Sequence, residues 1–153
     1  NNLFNKQSQK SKKPILIKEL KEIVKAIDES NINQDRAIRD KAIILTGFAG
    51  GFRRSELVSI CHEDIEFVPE GVKINIRRSK TDQFGEGMIK GLPYFSNQIY
   101  CPVFHLKKWL EISNIKSGSL FRRFSKSFKL SNDRLTDQSV ALILKNYLSA
   151  AGI

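Results

Sequence analysis

The hydrophobic periodicity of this 153-residue chain changes twice, from helical to alternating and back to helical. Residues 16–30 repeat apolar side chains every three or four positions, which is typical of an amphipathic helix. In GVKINIRRSK, which begins at Gly71, apolar and polar residues alternate as in a half-buried strand. Helical spacing returns in CPVFHLKKWLEIS, which begins at Cys101. The chain is therefore predicted to be mainly α-helical, with one small antiparallel β-sheet in its middle.

Capping residues and glycines predict where the first helices begin and end. Either Asn33 or Asp35 suits the start of a second helix, which would end at the Gly50-Gly51 pair. A short third helix is expected over roughly residues 54–61. The strand that begins at Gly71 has candidate partners on both sides, in EDIEFVPEG and in the weaker MIKGLPY.

The second half of the chain is predicted to be helical again. Pro102 suits the first turn of the helix in CPVFHLKKWLEIS, because its missing N–H would be unpaired there in any case. The segment TDQSVALILKNYLSAAGI predicts a last helix, with Thr136 as its cap and Gly152 as its stop.

The net charge of +10 favours an anionic partner, either nucleic acid or an acidic membrane surface. No apolar run approaches the roughly 20 residues that span a membrane, and no helix combines a basic face with a broad apolar one. The two cysteines do not fit a zinc spacing and are interpreted as reduced thiols, which with the lack of a signal peptide predicts a cytoplasmic protein. In a prokaryote it would be associated with the nucleoid. Nucleic acid is the expected partner because the basic side chains are grouped: Lys6, Lys10, Lys12 and Lys13; Arg77, Arg78 and Lys80; Arg122, Arg123, Lys126 and Lys129.

Two adjacent arginines, Arg53 and Arg54, follow the glycine pair at the start of the third predicted helix. A helix start favours acidic residues, because the macrodipole makes that end positive, so tertiary structure or function must account for these arginines. Glu56 lies three positions after Arg53, where it could brace Arg53 or the neighbouring backbone. A braced guanidinium would present two donors to a phosphate. The same spacing also fits an ordinary surface pair of arginine and glutamate.

Lys80 follows the alternating strand in a segment rich in turn residues. A lysine at a hairpin tip can reach into a DNA groove and donate a proton or screen charge there. A solvated loop lysine explains the position as well, so residue type and spacing leave both interpretations open.

Several separate segments together resemble the tyrosine recombinases, the phage-integrase family that includes Cre recombinase. In chain order they are TGFAGGFRRSELVSICHEDIEF, RSKT, YCPVFHLKKWLEISNIKSGSLFRRF and LTDQSVALILKNYLSAAGI. The resemblance extends from about residue 12 onward. It implies a site-specific recombinase that breaks and rejoins DNA through a phosphotyrosine link, with residues 1–14 as a basic linker and residues 15–153 as part of a catalytic domain.

The resemblance also implies roles for individual residues. Arg53 matches the first catalytic arginine in the pattern Gly-apolar-Arg-x-Ser-Glu-Leu, Glu56 matches the acid that supports it, and Lys80 matches the catalytic lysine of the small sheet. Double-stranded DNA is the expected partner, the full-length protein is expected to self-associate on it, and no metal ion or other cofactor is expected. The expected DNA contacts are Arg54, Arg77, Arg78 and Thr81.

The family completes its site with a His-x-x-Arg motif, a further His or Trp and a tyrosine nucleophile, none of which this sequence matches. His105, in HLKK, is interpreted as a helix residue beside the core, and Tyr147 as a core residue. The expectation is a catalytic domain that is truncated before those motifs and inactive alone. A non-catalytic basic DNA-binding module remains the alternative.

Overall fold

The computed structural model describes residues 17–77 and 87–153, in two stretches of mainly helical structure with small antiparallel sheets. This architecture confirms the predicted fold class. The helices are α1 Ile17–Glu29, α2 Gln34–Gly50, α3 Arg54–Ser59, α4 Pro102–Ser113 and α5 Asp137–Ala150; the strands are β1 Ile65–Val68, β2 Gly71–Ile76, β3 Met88–Pro93, β4 Arg122–Phe124 and β5 Leu130–Arg134.

The helix boundaries follow from local side-chain chemistry. The Asn33 side chain accepts hydrogen bonds from the backbone N–H groups of Asp35 (2.9 Å) and Arg36 (3.3 Å), so Asn33 and not Asp35 caps α2. Such a cap contributes about 1 kcal/mol. At the other end of α2, Gly51 adopts the left-handed conformation (φ 62°), which glycine enters without a steric penalty. Thr136 caps α5, as predicted.

The predicted central sheet is present, with strand order β1-β2-β3 and antiparallel pairing throughout. On β2, the side chains of Val72, Ile74 and Ile76 are buried, whereas Lys73 and Asn75 between them are exposed. This confirms the alternation predicted from the sequence. Ile74 pairs with Ile65 on β1 and with Lys90 on β3.

Two details of the sequence prediction are wrong. The sequence predicts only one small sheet, but β4 and β5 form a second antiparallel sheet. Its strands show no apolar alternation, because only Phe124 and Leu130 of this hairpin are packed against the core. Helix α3 ends at Ser59 and not near Cys61, because Cys61 instead forms an isolated antiparallel bridge with Ser119.

One hydrophobic core joins the helices to the central sheet. Helix α2 packs against α4, and α3 packs against α5. Trp109, Phe52 and Phe121 are fully buried, and the Trp109 indole donates a hydrogen bond to the Leu120 carbonyl (2.8 Å). Within residues 17–77 and 87–153, no helix has the length and apolar character needed to cross a membrane. The packing places the junction between α2 and α3 next to β3.

Candidate functional site

A short hinge, residues 50–53, joins α2 to α3, and Arg53 lies at its end. The N–H groups of Gly51 and Phe52 both donate to the carbonyl of Gly47, which closes the last turn of α2. A Cβ on Gly50 would lie 2.4 Å from the Phe52 ring, so glycine is the residue that lets this buried ring pack over the hinge. The hinge is therefore a packed corner of the core.

Glu56 braces the backbone of Arg53. The Arg53 N–H donates to Glu56 Oε1 at 2.9 Å, and the Glu56 side chain is almost completely buried. A guanidinium carries donors only, so Arg53 cannot return the bond that would complete a capping box. Leu57, the next residue, is fully buried and donates its N–H to the Arg53 carbonyl (2.9 Å). Of the two forms of bracing that the sequence suggested, the backbone form is the one present.

The Arg53 side chain is half-buried, and no carboxylate within the described parts of the chain forms an ion pair with it. Its backbone is thus fixed by two hydrogen bonds, to Glu56 and from Leu57. The preceding residue, Phe52, and the hydrogen-bonded Leu57 are both fully buried. The backbone of an arginine held this way has a defined position. Its planar guanidinium can then offer two parallel donors to a phosphate. Arg54, beside it, is also half-buried, and its Nε has no hydrogen-bond partner among the residues of the two described stretches.

Arg77, a predicted DNA contact, lies just after β2 and is tied to the protein through one nitrogen. Its Nε donates to Asp64 Oδ1 at 2.7 Å, and Asp64 Oδ2 accepts the N–H of Cys61 at 2.9 Å. The bond to Asp64 raises the pKa of Arg77, so the guanidinium stays charged. Its side chain remains 58% exposed, and the bond itself does not use the terminal nitrogens.

Three predicted site residues, Arg78, Lys80 and Thr81, lie outside the described residues, as does the basic stretch 6–13. Their assigned roles stay predictions. The Arg122 group is partly committed to internal contacts: the Arg122 guanidinium donates to the carbonyls of Ser119 (2.6 Å) and Ser117 (2.5 Å) and to Asn132 Oδ1 (3.2 Å).

The hairpin of β4 and β5 borders a groove beside α3. The groove has a volume of about 660 Å³ and is lined by both polar and apolar side chains, among them Ser55, Arg123, Arg134 and Thr136. Arg123 forms an exposed ion pair with Asp133 (3.0 Å). The groove therefore extends from Ser55 on α3 to the hairpin, where Arg123 contributes a positive charge and Asp133 a negative one.

The histidine and tyrosine that the sequence assigned to the core are structural. His105 Nε2 is 2.9 Å from the Ile99 carbonyl, and burial lowers the pKa of His105. The Tyr147 hydroxyl donates to Asp40 Oδ2 at 2.7 Å, and burial, with the charge of Asp40, raises the pKa of Tyr147 far above its ordinary value. Both interpretations are confirmed. In the described part of the chain, no group of three or more His, Cys, Asp and Glu could hold a metal ion.

Sequence reasoning missed Lys90, which contacts the hinge directly. Its Nζ donates to the carbonyls of Gly50 (2.8 Å) and Gly51 (3.3 Å). A signal was present in the sequence: Lys90 stands two residues before Leu92, so on a strand both side chains face the core. An inward-facing lysine next to a helix end is a candidate for capping its free carbonyls.

The fold and this site define a mainly helical domain that presents a braced arginine at a glycine hinge, next to a small antiparallel sheet. Over 145 residues, or 95% of its length, the chain is 44% identical to a protein of Selenomonas ruminantium described as an integrase/recombinase xerD homolog. The chain spans 42% of that protein's length. No family model matches the chain. The similarity supports the tyrosine recombinase family, which the sequence motifs also indicated.

Proposed function

We propose that the chain is part of a site-specific DNA recombinase, or integrase, of the tyrosine recombinase family. The observation that carries this proposal is Arg53, whose backbone is fixed by Glu56 and by the packed glycine hinge while its guanidinium has no carboxylate partner within the described residues. The similarity to the xerD homolog points to the same class. Residues 15–153 would form part of a Cre-like catalytic domain, and residues 1–14 a basic linker to it.

In the proposed reaction, a tyrosine hydroxyl attacks a DNA phosphate, a phosphotyrosine bond forms, and the bond to the 5′ oxygen breaks. Arg53 would hold the non-bridging oxygens as charge builds on them, and Lys80 would protonate the departing 5′ oxygen. The tyrosine, the second arginine and the further His or Trp would come from motifs that this chain does not match. The reaction conserves the phosphodiester energy, so it needs neither ATP nor an oxidant.

The proposed partner is double-stranded DNA, on which the full-length protein would self-associate in the cytoplasm. Arg54, Arg77, Arg78 and Thr81 would contact the DNA around the phosphate held by Arg53. Among these, Arg77 has the clearest physical support, because the bond to Asp64 orients a guanidinium that is still 58% exposed. An arginine that is already oriented loses less conformational entropy when it binds a phosphate.

The decisive experiment is cleavage by a full-length protein, which under this proposal would carry this chain together with the motifs that it does not match. The substrate is a nicked duplex that traps a covalent protein–DNA adduct, which is then resolved on a denaturing gel. Arg53→Ala is expected to abolish adduct formation and to leave duplex binding nearly unchanged, because Arg53 acts on charge that develops in the transition state. Arg53→Lys is expected not to restore it, since a point charge cannot reproduce the two-pronged contact.

Lys73→Ala is the matched control, because Lys73 is an exposed cation on β2 whose removal changes the net charge equally. It is expected to cleave at close to the wild-type rate. Equal loss of binding and cleavage in Arg53→Ala would reduce Arg53 to an affinity residue. A full-length protein that binds DNA without ever forming the adduct would favour a non-catalytic DNA-binding module.

A further inference from the structure

Lys90 holds three consecutive residues that lead directly into Arg53. Its ammonium donates to the carbonyls of Gly50 (2.8 Å) and Gly51 (3.3 Å), and it lies 4.7 Å from the centre of the Phe52 ring. Arg53 is the next residue in the chain. No other described lysine contacts a helix end and an aromatic ring of the hinge in this way.

These contacts have a clear electrostatic basis. The last carbonyls of α2 have no partner within the helix, and they carry the negative end of its dipole. A cation that donates to two of them forms charge-assisted bonds, which are roughly twice as strong as neutral ones. The ring of Phe52 adds a cation–π attraction to the same ammonium. Because Phe52 is fully buried, the ring also shields this side of the ammonium from water.

Strand geometry explains why Lys90 can reach this position. Lys90 pairs with the fully buried Ile74 of β2 and shares its face of the sheet with Leu92. Its side chain therefore points toward the core side of the sheet, where α2 ends. The result is a physical link between the central sheet and the glycine hinge.

We propose that Lys90 is a positioning residue for Arg53, an inference that rests on the proposed function. Lys90 fixes the hinge from the side of α2, and Glu56 fixes the Arg53 N–H from the side of α3. Together they fix the position of the Arg53 backbone, from which the guanidinium extends. Lys90 itself does not bind the DNA phosphate, because two protein carbonyls and an aromatic ring already surround its ammonium.

The test compares Lys90→Met with Lys73→Met in the full-length protein. Both changes remove one cation from the same sheet, but Lys73 is exposed, whereas Lys90 is partly buried against the hinge. The single-turnover rate of adduct formation is measured at saturating protein, together with the Kd for the duplex. Lys90→Met is expected to slow adduct formation by about 10- to 100-fold, as small displacements of a catalytic group do, with a Kd equal to that of Lys73→Met. Lys90→Arg is expected to restore most of the rate.

A second measurement tests positioning without any cleavage. In the 153-residue chain, hydrogen exchange of the Arg53 and Phe52 amides reports the bonds to Glu56 and Gly47. Both amides are expected to exchange at least about 10-fold faster in Lys90→Met and at wild-type rates in Lys73→Met. If Lys90→Met does not fold, Lys90→Gln takes its place, because its NH2 group is still a hydrogen-bond donor but carries no charge. The adduct rate and the amide protection of Lys90→Gln are expected to lie between the wild-type values and complete loss.

Two results would overturn the inference. One is an adduct rate for Lys90→Met, or for Lys90→Gln, that equals the rate of the corresponding Lys73 variant. The other is weaker duplex binding with a salt slope reduced by about 0.9, which would make Lys90 a direct phosphate contact. The failure of the proposed function is a separate result: the wild-type protein would then form no adduct, or Arg53→Ala would form it at the wild-type rate, and the positioning role would fall with it.

Discussion

Replacing Tyr147 with phenylalanine is expected to destabilise the fold, because Tyr147 completes a buried polar network between α5 and α2. Its hydroxyl donates to Asp40 Oδ2 at 2.7 Å. Asp40 Oδ1 accepts two bonds from the Arg39 guanidinium, at 2.8 and 3.0 Å. Asp40 is fully buried and Arg39 nearly so. The remaining Arg39 nitrogen donates to the carbonyl of Arg122 (2.9 Å), which extends the network to β4.

The size of the loss in stability follows from the buried carboxylate of Asp40, which phenylalanine leaves with one partner fewer. A hydrogen bond to a charged group contributes about 1.5–3 kcal/mol, and here its loss leaves one oxygen of a fully buried carboxylate without its partner. Tyr147→Phe should therefore lower the free energy of unfolding by about 2–3 kcal/mol. Asp40→Ala should cost more, about 3–5 kcal/mol, because Arg39 would be left as an unpaired buried charge.

Urea unfolding of the 153-residue chain, followed by circular dichroism, measures this loss as a shift in the transition midpoint. Tyr94→Phe is the matched control, because the Tyr94 hydroxyl accepts a bond from Lys107 at an exposed position and should contribute less than about 0.5 kcal/mol. A Tyr147→Phe variant as stable as Tyr94→Phe would refute the reasoning.

The pH dependence provides an independent check on the same network. The folded pKa of Tyr147 is raised above the value of about 10 that it has in the unfolded chain. Below pH 10 both states hold the proton, so the stabilisation is complete. Above pH 10 the unfolded chain loses the proton first, and stability falls by up to about 1.4 kcal/mol per pH unit. The difference in stability between wild type and Tyr147→Phe should therefore shrink as the pH rises above 10.

Three further outcomes are expected. The 153-residue chain should bind duplex DNA with little sequence preference and with an affinity that falls by about 0.9 log units per log unit of salt for each phosphate neutralised; salt-independent binding in an anisotropy titration would contradict this. Burial lowers the pKa of His105, so the unfolded chain takes up the proton first and stability should fall as the pH drops through about 6.5, a loss that should be smaller in His105→Gln. Tyr147 is buried, bonded to Asp40 and has a raised pKa, so the 153-residue chain should form no covalent DNA adduct through it; peptide mapping that places an adduct on Tyr147 would show that the core can open.

The sequence could predict the helices and the central sheet because periodicity reports which side chains a regular element buries. Val72, Ile74 and Ile76 alternate with polar residues, and the structure buries those three. The same logic fails for the β4–β5 hairpin, where Arg122–Phe124 and Leu130–Arg134 are mostly polar and pack through only one apolar residue each. Long-range contacts also decide local boundaries: the bridge from Cys61 to Ser119 ends α3 early, and no local pattern contains that information.

Within the candidate site, the sequence could predict the positions of Arg53 and Glu56 but not the partner of each atom. Spacing brings the two residues onto one helical face, and both a side-chain pair and a backbone bond fit that spacing. The choice of the backbone bond depends on the hinge, where Gly51 is left-handed and Arg53 has an extended conformation that exposes its N–H to Glu56. The buried pair of Arg39 and Asp40 is invisible for a similar reason, since both look like surface residues until α5 and β4 cover them.

Net charge alone overstates how much of this chain is available to DNA. In the group around Arg122, the Arg122 guanidinium is bound to three protein oxygens, and Arg123 is paired with Asp133. Arg39 is buried in its own ion pair. An arginine whose donors are already used inside the protein would have to give up those bonds to bind a phosphate. The cations that can contribute most to binding are therefore those whose orientation is fixed while their terminal donors are not used by a carboxylate in the described residues. Arg77 meets this condition through its bond to Asp64, whereas Arg53 is fixed in its backbone.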